Sequence, residues 1–238
     1  MRYKIFDVLR WGFIIGMILF HFNFILVNFF DNNIFENEYF WVNLQYFWKL
    51  WFLFLSWMTF SLAQNKYKNN LPFAYSKKIL KLLILSLLIT SASIVFAKDS
   101  PIYFWVIHYF AVSYVLLLLF KKLRYWNLLF GILFIIIWIY IERMTFETWV
   151  LFMLWFKPIG YDYLDYFPLL PNFWYALLWF CLWSYLSEKR HAEKFFLNSP
   201  RILKTVEFLW RRSLLVYVLH TPVIFGFIWI LYFLSKAY

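Results

Sequence analysis

Long apolar runs separated by short charged clusters make up this sequence from end to end. A segment that crosses a bilayer must satisfy its backbone N–H and C=O groups within itself, which takes about 20 predominantly apolar residues in helical form. Measured against that length, the runs at 5–29, 39–63, 78–97, 102–120, 126–141, 166–186 and 212–234 predict seven transmembrane helices. The expected fold is all-α, a polytopic membrane protein in which residues 1–238 form a single helical-bundle domain. The fifth run, Trp126 to Ile141, is short for a crossing and requires local thinning of the bilayer or an extra turn at either end. Thr148 to Phe156 is apolar but shorter still, and Lys157, Pro158 and Gly160 follow it. An interfacial or re-entrant helix is expected there.

The basic residues test this reading independently, because cytoplasmic loops carry an excess of Lys and Arg. With the N-terminus inside, the inner side collects Arg2, Lys4, Lys66, Lys68, Lys77, Lys78, Lys121, Lys122, Arg124, Lys189, Arg190, Lys194, Arg201, Lys204, Arg211 and Arg212. The outer side keeps Lys98, Arg143, Lys157 and Lys236. An odd number of spans, N-in and C-out, is the arrangement that agrees with every loop, and a multi-pass protein of the inner or plasma membrane is expected. The net charge of +11 then needs no nucleic acid, since anionic lipid faces the basic loops. The first apolar run is too long for a signal-peptide core and lacks a small-residue cleavage pattern, so it is expected to remain as a helix. One cysteine, Cys181, forms no internal disulfide, and no Cys and His cluster points to a metal.

Ionisable residues inside a span are costly and usually mark a cavity or a pathway. The first run carries Asp7, Arg10 and His21. At 100° per residue His21 lies about 20° from Arg10 around the helix and Asp7 about 60° from Arg10, so the three share a stripe. The rise of 1.5 Å per residue separates Arg10 from His21 by about 16 Å, which puts one at the cytoplasmic rim and the other in the outer half. His108 and His220 lie in the fourth and seventh runs, whereas His191 falls in a basic loop. Imidazole suits proton transfer near neutral pH. Structural hydrogen bonding accounts for any one of these histidines as well. Asp162 and Asp165 precede the sixth run and are placed to face an outer cavity, although helix capping explains Asp165 equally well. Arg211, Arg212 and Ser213 open the seventh run, where they either meet phosphates or anchor the helix.

These segments together resemble a known family. Ile5-Phe6-Asp7-Val8-Leu9-Arg10 with Met17 and His21, Phe52-Leu53-Phe54-Leu55-Ser56, Ile107-His108-Tyr109-Phe110-Ala111-Val112-Ser113-Tyr114, Leu164-Asp165-Tyr166-Phe167-Pro168-Leu169-Leu170-Pro171 and Arg212-Ser213-Leu214-Leu215-Val216-Tyr217-Val218-Leu219-His220-Thr221-Pro222 occur in the order and helix positions of the heparan-alpha-glucosaminide N-acetyltransferase-like family, catalytic part. That family is related to the integral membrane acyltransferases that modify sugars. The resemblance implies transfer of an acyl group, typically acetyl, from cytoplasmic acetyl-CoA or another acyl-CoA to an amino or hydroxyl group of an extracytoplasmic sugar or envelope glycan, without a metal. It implies His21 as base or acyl-relay residue, Arg10 beside the coenzyme channel with Arg211, Arg212 and Ser213, His108 and His220 lining the cavity, and Asp165 and Asp162 on the acceptor side. Membrane lipid, a glycan acceptor and a second copy of the chain are the expected partners. The same histidines also fit a small proton-coupled transporter or flippase, which would need no acyl-CoA, and a non-catalytic membrane protein would tolerate alanine at His21.

Departures from the family pattern share one direction: tryptophan stands where the family has glycine, at Trp11, Trp57, Trp105, Trp174, Trp179 and Trp210, and Trp183 follows Trp179 where a small residue suits a helix contact. The chain has 15 Trp and only 5 Gly. Many simultaneous exchanges of a packing glycine for the bulkiest side chain are implausible as adaptation, since overpacking is destabilising. An opal codon read as glycine in the source organism would produce this pattern, and the wealth of Phe, Ile, Lys, Asn and Tyr suits an AT-rich genome. Peptides of the native protein are therefore expected to show glycine masses at positions 11, 57 and 179; tryptophan masses there would end the idea.

Overall fold

The computed structural model describes residues 4–30, 38–67, 70–96, 98, 101–123, 125–144, 152–154, 166–188 and 213–236. Among them all regular structure is helical: α1 (Lys4–Phe30), α2 (Glu38–Tyr67), α3 (Leu71–Phe96), α4 (Val106–Phe120), α5 (Trp126–Ile141), α6 (Leu169–Glu188) and α7 (Ser213–Lys236). Each falls on one of the seven apolar runs. Four stretches are long and apolar enough to cross a membrane: Leu9–Val27 in α1, Leu71–Val95 in α3, Val106–Leu123 comprising α4 and the 3-10 turn that follows it, and Ser213–Ser235 in α7. This is a membrane protein. α5 is apolar but has 16 residues, about 24 Å of helix against a hydrocarbon core of about 30 Å. α2 and α6 have sufficient length, but α2 carries Asn43, Gln45 and Lys49 and both are rich in Trp and Tyr.

Two boundaries differ from the sequence reading for identifiable reasons. α3 starts at Leu71 rather than near 78, because Pro72 sits in the first turn, where a missing N–H breaks no helical bond. α4 starts at Val106 rather than 102: Trp105 is extended, and the side chain of His108 reaches back to its N–H. Of the short apolar piece at 148–156 only Phe152, Met153 and Leu154 are described. The carbonyls of Met153 and Leu154 accept the N–H groups of Leu169 and Leu170, at 2.8 and 3.2 Å. These are first-turn donors of α6 that have no partner within their own helix.

The chain divides into two compact units, one of Met1–Leu55 with Arg190–Tyr238 and one of Ser56–Lys189. In the first unit α1 packs on α7. Their register is parallel: His21 meets His220, Ile25 and Leu26 cluster with Ile224 and Ile228, and Phe30 reaches Phe225 and Tyr232. In the second unit α3 pairs with α4, α5 with α6, and α4 touches α6. α3 and α4 are antiparallel, since Lys78 near the start of α3 bonds Tyr114 late in α4 while Thr90, further along α3, meets His108. The outward faces of these helices are apolar, with Leu83, Ile84, Leu87 and Leu88 of α3 and Val223, Phe227, Ile230 and Leu231 of α7 exposed. Contiguous exposure of this kind marks a surface made for lipid. The buried hydroxyls of Ser86 and Ser93 bond to their own helix: Ser86 donates to Leu83 O and Ser93 to Thr90 O, each at 2.8 Å.

Aromatic rings fill the space between helices. Trp57 is fully buried against Tyr109, Phe110 and Tyr114, with ring centroids 6.0, 5.4 and 5.5 Å away. It stands where the family resemblance expects glycine. In the first unit Phe13 meets Trp48 edge-on at 5.1 Å and stacks on Trp51 at 6.4 Å. A Cβ on the buried Gly16 would overlap the Trp48 indole, so α1 and α2 depend on a small residue at that point. Gly16→Ala is expected to displace the Trp48 ring and destabilise the fold by about 1–3 kcal/mol, the usual cost of overpacking. Thermal unfolding of the purified protein with tryptophan fluorescence as readout measures both effects.

Candidate functional site

Two histidines of the first unit meet at one point of the α1–α7 seam. His21, half-buried on α1, and His220, buried on α7, lie with ring centroids 4.7 Å apart and planes at 80°. Helix periodicity puts Ile25 and Ile224 one turn further along each helix, where the apolar cluster closes the seam. Phe20 stands edge-on to His21 at 5.4 Å, and Tyr217 flanks His220 at 5.7 Å with Phe52 stacked on its other side.

The hydrogen bonds determine which nitrogen of each ring carries the proton. A backbone carbonyl only accepts, so His21 Nδ1–H donates to Met17 O at 2.9 Å and His220 Nδ1–H donates to Tyr217 O at 2.5 Å. Pro222 lies two residues on and has no N–H to give the turn beneath it, which loosens the backbone around His220. Both neutral rings therefore present Nε2 as an acceptor, and there they diverge. Thr221 Oγ1 lies 3.1 Å from His220 Nε2 and donates to it, whereas His21 Nε2 has no hydrogen bond among the described residues. An imidazole with its N–H fixed on a carbonyl and its other nitrogen open is arranged to take a proton.

Arg10 is half-buried on α1, about 16 Å along the helix from His21 by the rise per residue. Ser213 begins α7 and is half-buried. Arg211, Arg212, Asp162 and Asp165 lie outside the described residues. His108 belongs to the second unit and is engaged at both nitrogens. Its Nδ1 accepts the Trp105 N–H at 3.2 Å, the reaching-back half of a capping box at the start of α4. Its Nε2–H then donates to Thr90 Oγ1 at 3.1 Å, and Thr90 passes its own proton to Ile102 O at 2.9 Å. Ile102 N–H in turn donates to Ser93 Oγ at 2.9 Å, so the chain entering α4 is tied to α3. Two partners were not singled out in the sequence reading. Thr221 adjoins His220 within a segment that carries the family resemblance, whereas Thr90 has no signal in its surroundings that marks it.

The fold and this histidine seam define a helical membrane protein in which two imidazoles meet between α1 and α7. The family model described as heparan-alpha-glucosaminide N-acetyltransferase, catalytic, matches residues 2–222. The chain belongs to that family, whose activity is of the membrane acetyltransferase type. No curated protein and no solved structure matches it.

Removing the His108 imidazole leaves the Trp105 N–H without its acceptor. His108→Ala is expected to cost about 1–2 kcal/mol, as loss of a helix cap does, and His108→Asn, which keeps an acceptor, to recover part of it. Chemical denaturation of both variants in the same detergent provides the comparison.

Proposed function

We propose that this chain transfers an acetyl group from cytoplasmic acetyl-CoA to an amino or hydroxyl group of a sugar or envelope glycan on the outer side of the inner or plasma membrane, with His21 as the general base. The observation that carries this reading is the open Nε2 of His21, held in position by the Nδ1–H bond to Met17 O. The acceptor O–H or N–H gives its proton to that nitrogen as the acceptor atom bonds to the acetyl carbonyl carbon. The carbon–sulfur bond breaks, and the departing thiolate takes the proton from His21. Direct base catalysis needs a free lone pair and a ring that cannot rotate, and His21 has both.

The coenzyme and acceptor roles are those the family resemblance implies. Arg10 is at the cytoplasmic end of the His21 stripe and, with Arg211, Arg212 and Ser213, serves the coenzyme phosphates. Asp165 and Asp162 serve the acceptor. His220 supports His21, and His108 holds the start of α4 so that the α3–α4 pair keeps its register. The parallel course of α1 and α7 supports an odd number of crossings, and the basic loops support N-in and C-out.

Sealed vesicles containing the full chain, given acetyl-labelled coenzyme on the cytoplasmic face and a native glycan extract on the other, provide the test. Label is expected in the glycan, and His21→Ala is expected to reduce the rate by about 10²–10⁴-fold, the range for a general base. Transfer that survives the His21 change overturns this role. Solute movement without acyl-CoA, in place of acetyl transfer, overturns the reaction class.

A further inference from the structure

Two imidazoles with the same Nδ1 arrangement stand side by side in the α1–α7 seam, and each is in principle a base. Their backbone bonds are equivalent: His21 Nδ1–H to Met17 O and His220 Nδ1–H to Tyr217 O. The two rings differ in burial, His21 being half-buried and His220 buried, and at Nε2, where His220 has the Thr221 hydroxyl at 3.1 Å and His21 has no described partner. We propose that Thr221 is a positioning residue that selects His21 over His220 as the proton acceptor, by occupying the Nε2 lone pair of His220. The inference rests on the reading of His21 as the base and extends it to a residue that no comparison assigns.

The physical case concerns a dry, crowded seam. His220 is 5% exposed, with Ile224 and Ile228 further along its helix. The groups facing it among the described residues are His21 from α1 and Tyr217 from its own helix, and Phe52 of α2 stacks behind Tyr217. No carboxylate or ammonium is described against the pair. An unoccupied His220 Nε2 would be a buried acceptor without a donor, and a proton that landed there would lie on the ring beside the intended one. A threonine hydroxyl removes both problems. It satisfies the lone pair and withdraws it from competition, because a lone pair already accepting a hydrogen bond must give that bond up before it takes a proton.

The decisive measurement combines a spectroscopic readout with an activity readout on the full chain in lipid nanodiscs. The chain has 4 His, so imidazole nitrogen-15 resonances are assignable by single substitutions. In the wild type, His220 is expected as the Nδ1–H tautomer with Nε2 in a hydrogen-bonded position. Thr221→Val, nearly isosteric, is expected to shift His220 Nε2 to the free-acceptor position, and Thr221→Ser to restore it. In the acetyl-transfer assay His21→Gln is expected to be nearly inactive. Adding Thr221→Val to it is expected to raise the residual rate by about tenfold, as His220 becomes available as a substitute base, and Thr221→Ser is expected to give no rise. A His220 resonance that ignores Thr221→Val overturns the proposal, as does a double variant no faster than His21→Gln. Failure of the acetyltransferase reading looks different: the wild type would transfer no label, while the nitrogen resonances would still report whether Thr221 holds His220.

Discussion

A side chain inside a bilayer has no water to bond, so each buried N–H and O–H must find its acceptor within the protein, and the nearest acceptors are carbonyls one turn back on its own helix. That constraint accounts for several bonds among the described residues. It sends the hydroxyls of Ser86 and Ser93 to Leu83 O and Thr90 O, and it fixes the tautomers of His21 and His220 through Met17 O and Tyr217 O. The geometry of the histidine pair follows from the same rule: once Nδ1 has given its proton to a carbonyl, Nε2 is left as the acceptor, and the Thr221 hydroxyl beside His220 has no described counterpart beside His21. His108 shows the opposite outcome. Its Nδ1 accepts a backbone N–H, so its Nε2 must be the donor, and the ring is consumed in holding the start of α4.

The hydrophobic surface is distributed accordingly. Apolar faces of α3 and α7 are exposed, while Asn23, Ser86, Ser93 and His220 are buried, the reverse of a water-soluble bundle. Association between such helices comes from close packing and from scattered hydrogen bonds rather than from expulsion of water. The packing here depends heavily on rings. Gly16 lies directly beneath the Trp48 indole, and Trp57 fills the interior of the second unit between Tyr109, Phe110 and Tyr114. α2 contributes ring contacts within each unit, Trp48 and Trp51 to Phe13 in the first and Trp57 to Tyr109 in the second.

The shared register of α1 and α7 connects topology to chemistry. Parallel helices at the two ends of the chain bring the first and last polar segments to the same depth, so one imidazole comes from each. The charge distribution of the loops leads to the same arrangement by a different route, because basic residues remain on the side from which they cannot be translocated cheaply. Arg10 and His21 lie about 16 Å apart along one stripe of α1.

What the sequence determined by itself are the properties that depend on residues close together in the chain. Helix existence and position follow from runs of apolar residues, and the shared stripe of Arg10 and His21 follows from the pitch of a single helix; both were legible without coordinates. The starts of α3 and α4 were less so, because Pro72 in a first turn and the reach of His108 back to Trp105 extend or trim a helix without changing its hydropathy. Only the tertiary structure decided that His21 meets His220 while His108 is bonded within a separate unit, since contacts between distant segments depend on how the helices pack and not on any local pattern. It also decided which nitrogen is open, because a tautomer is set by the atoms within about 3 Å of each ring, and helical packing alone brings those atoms there.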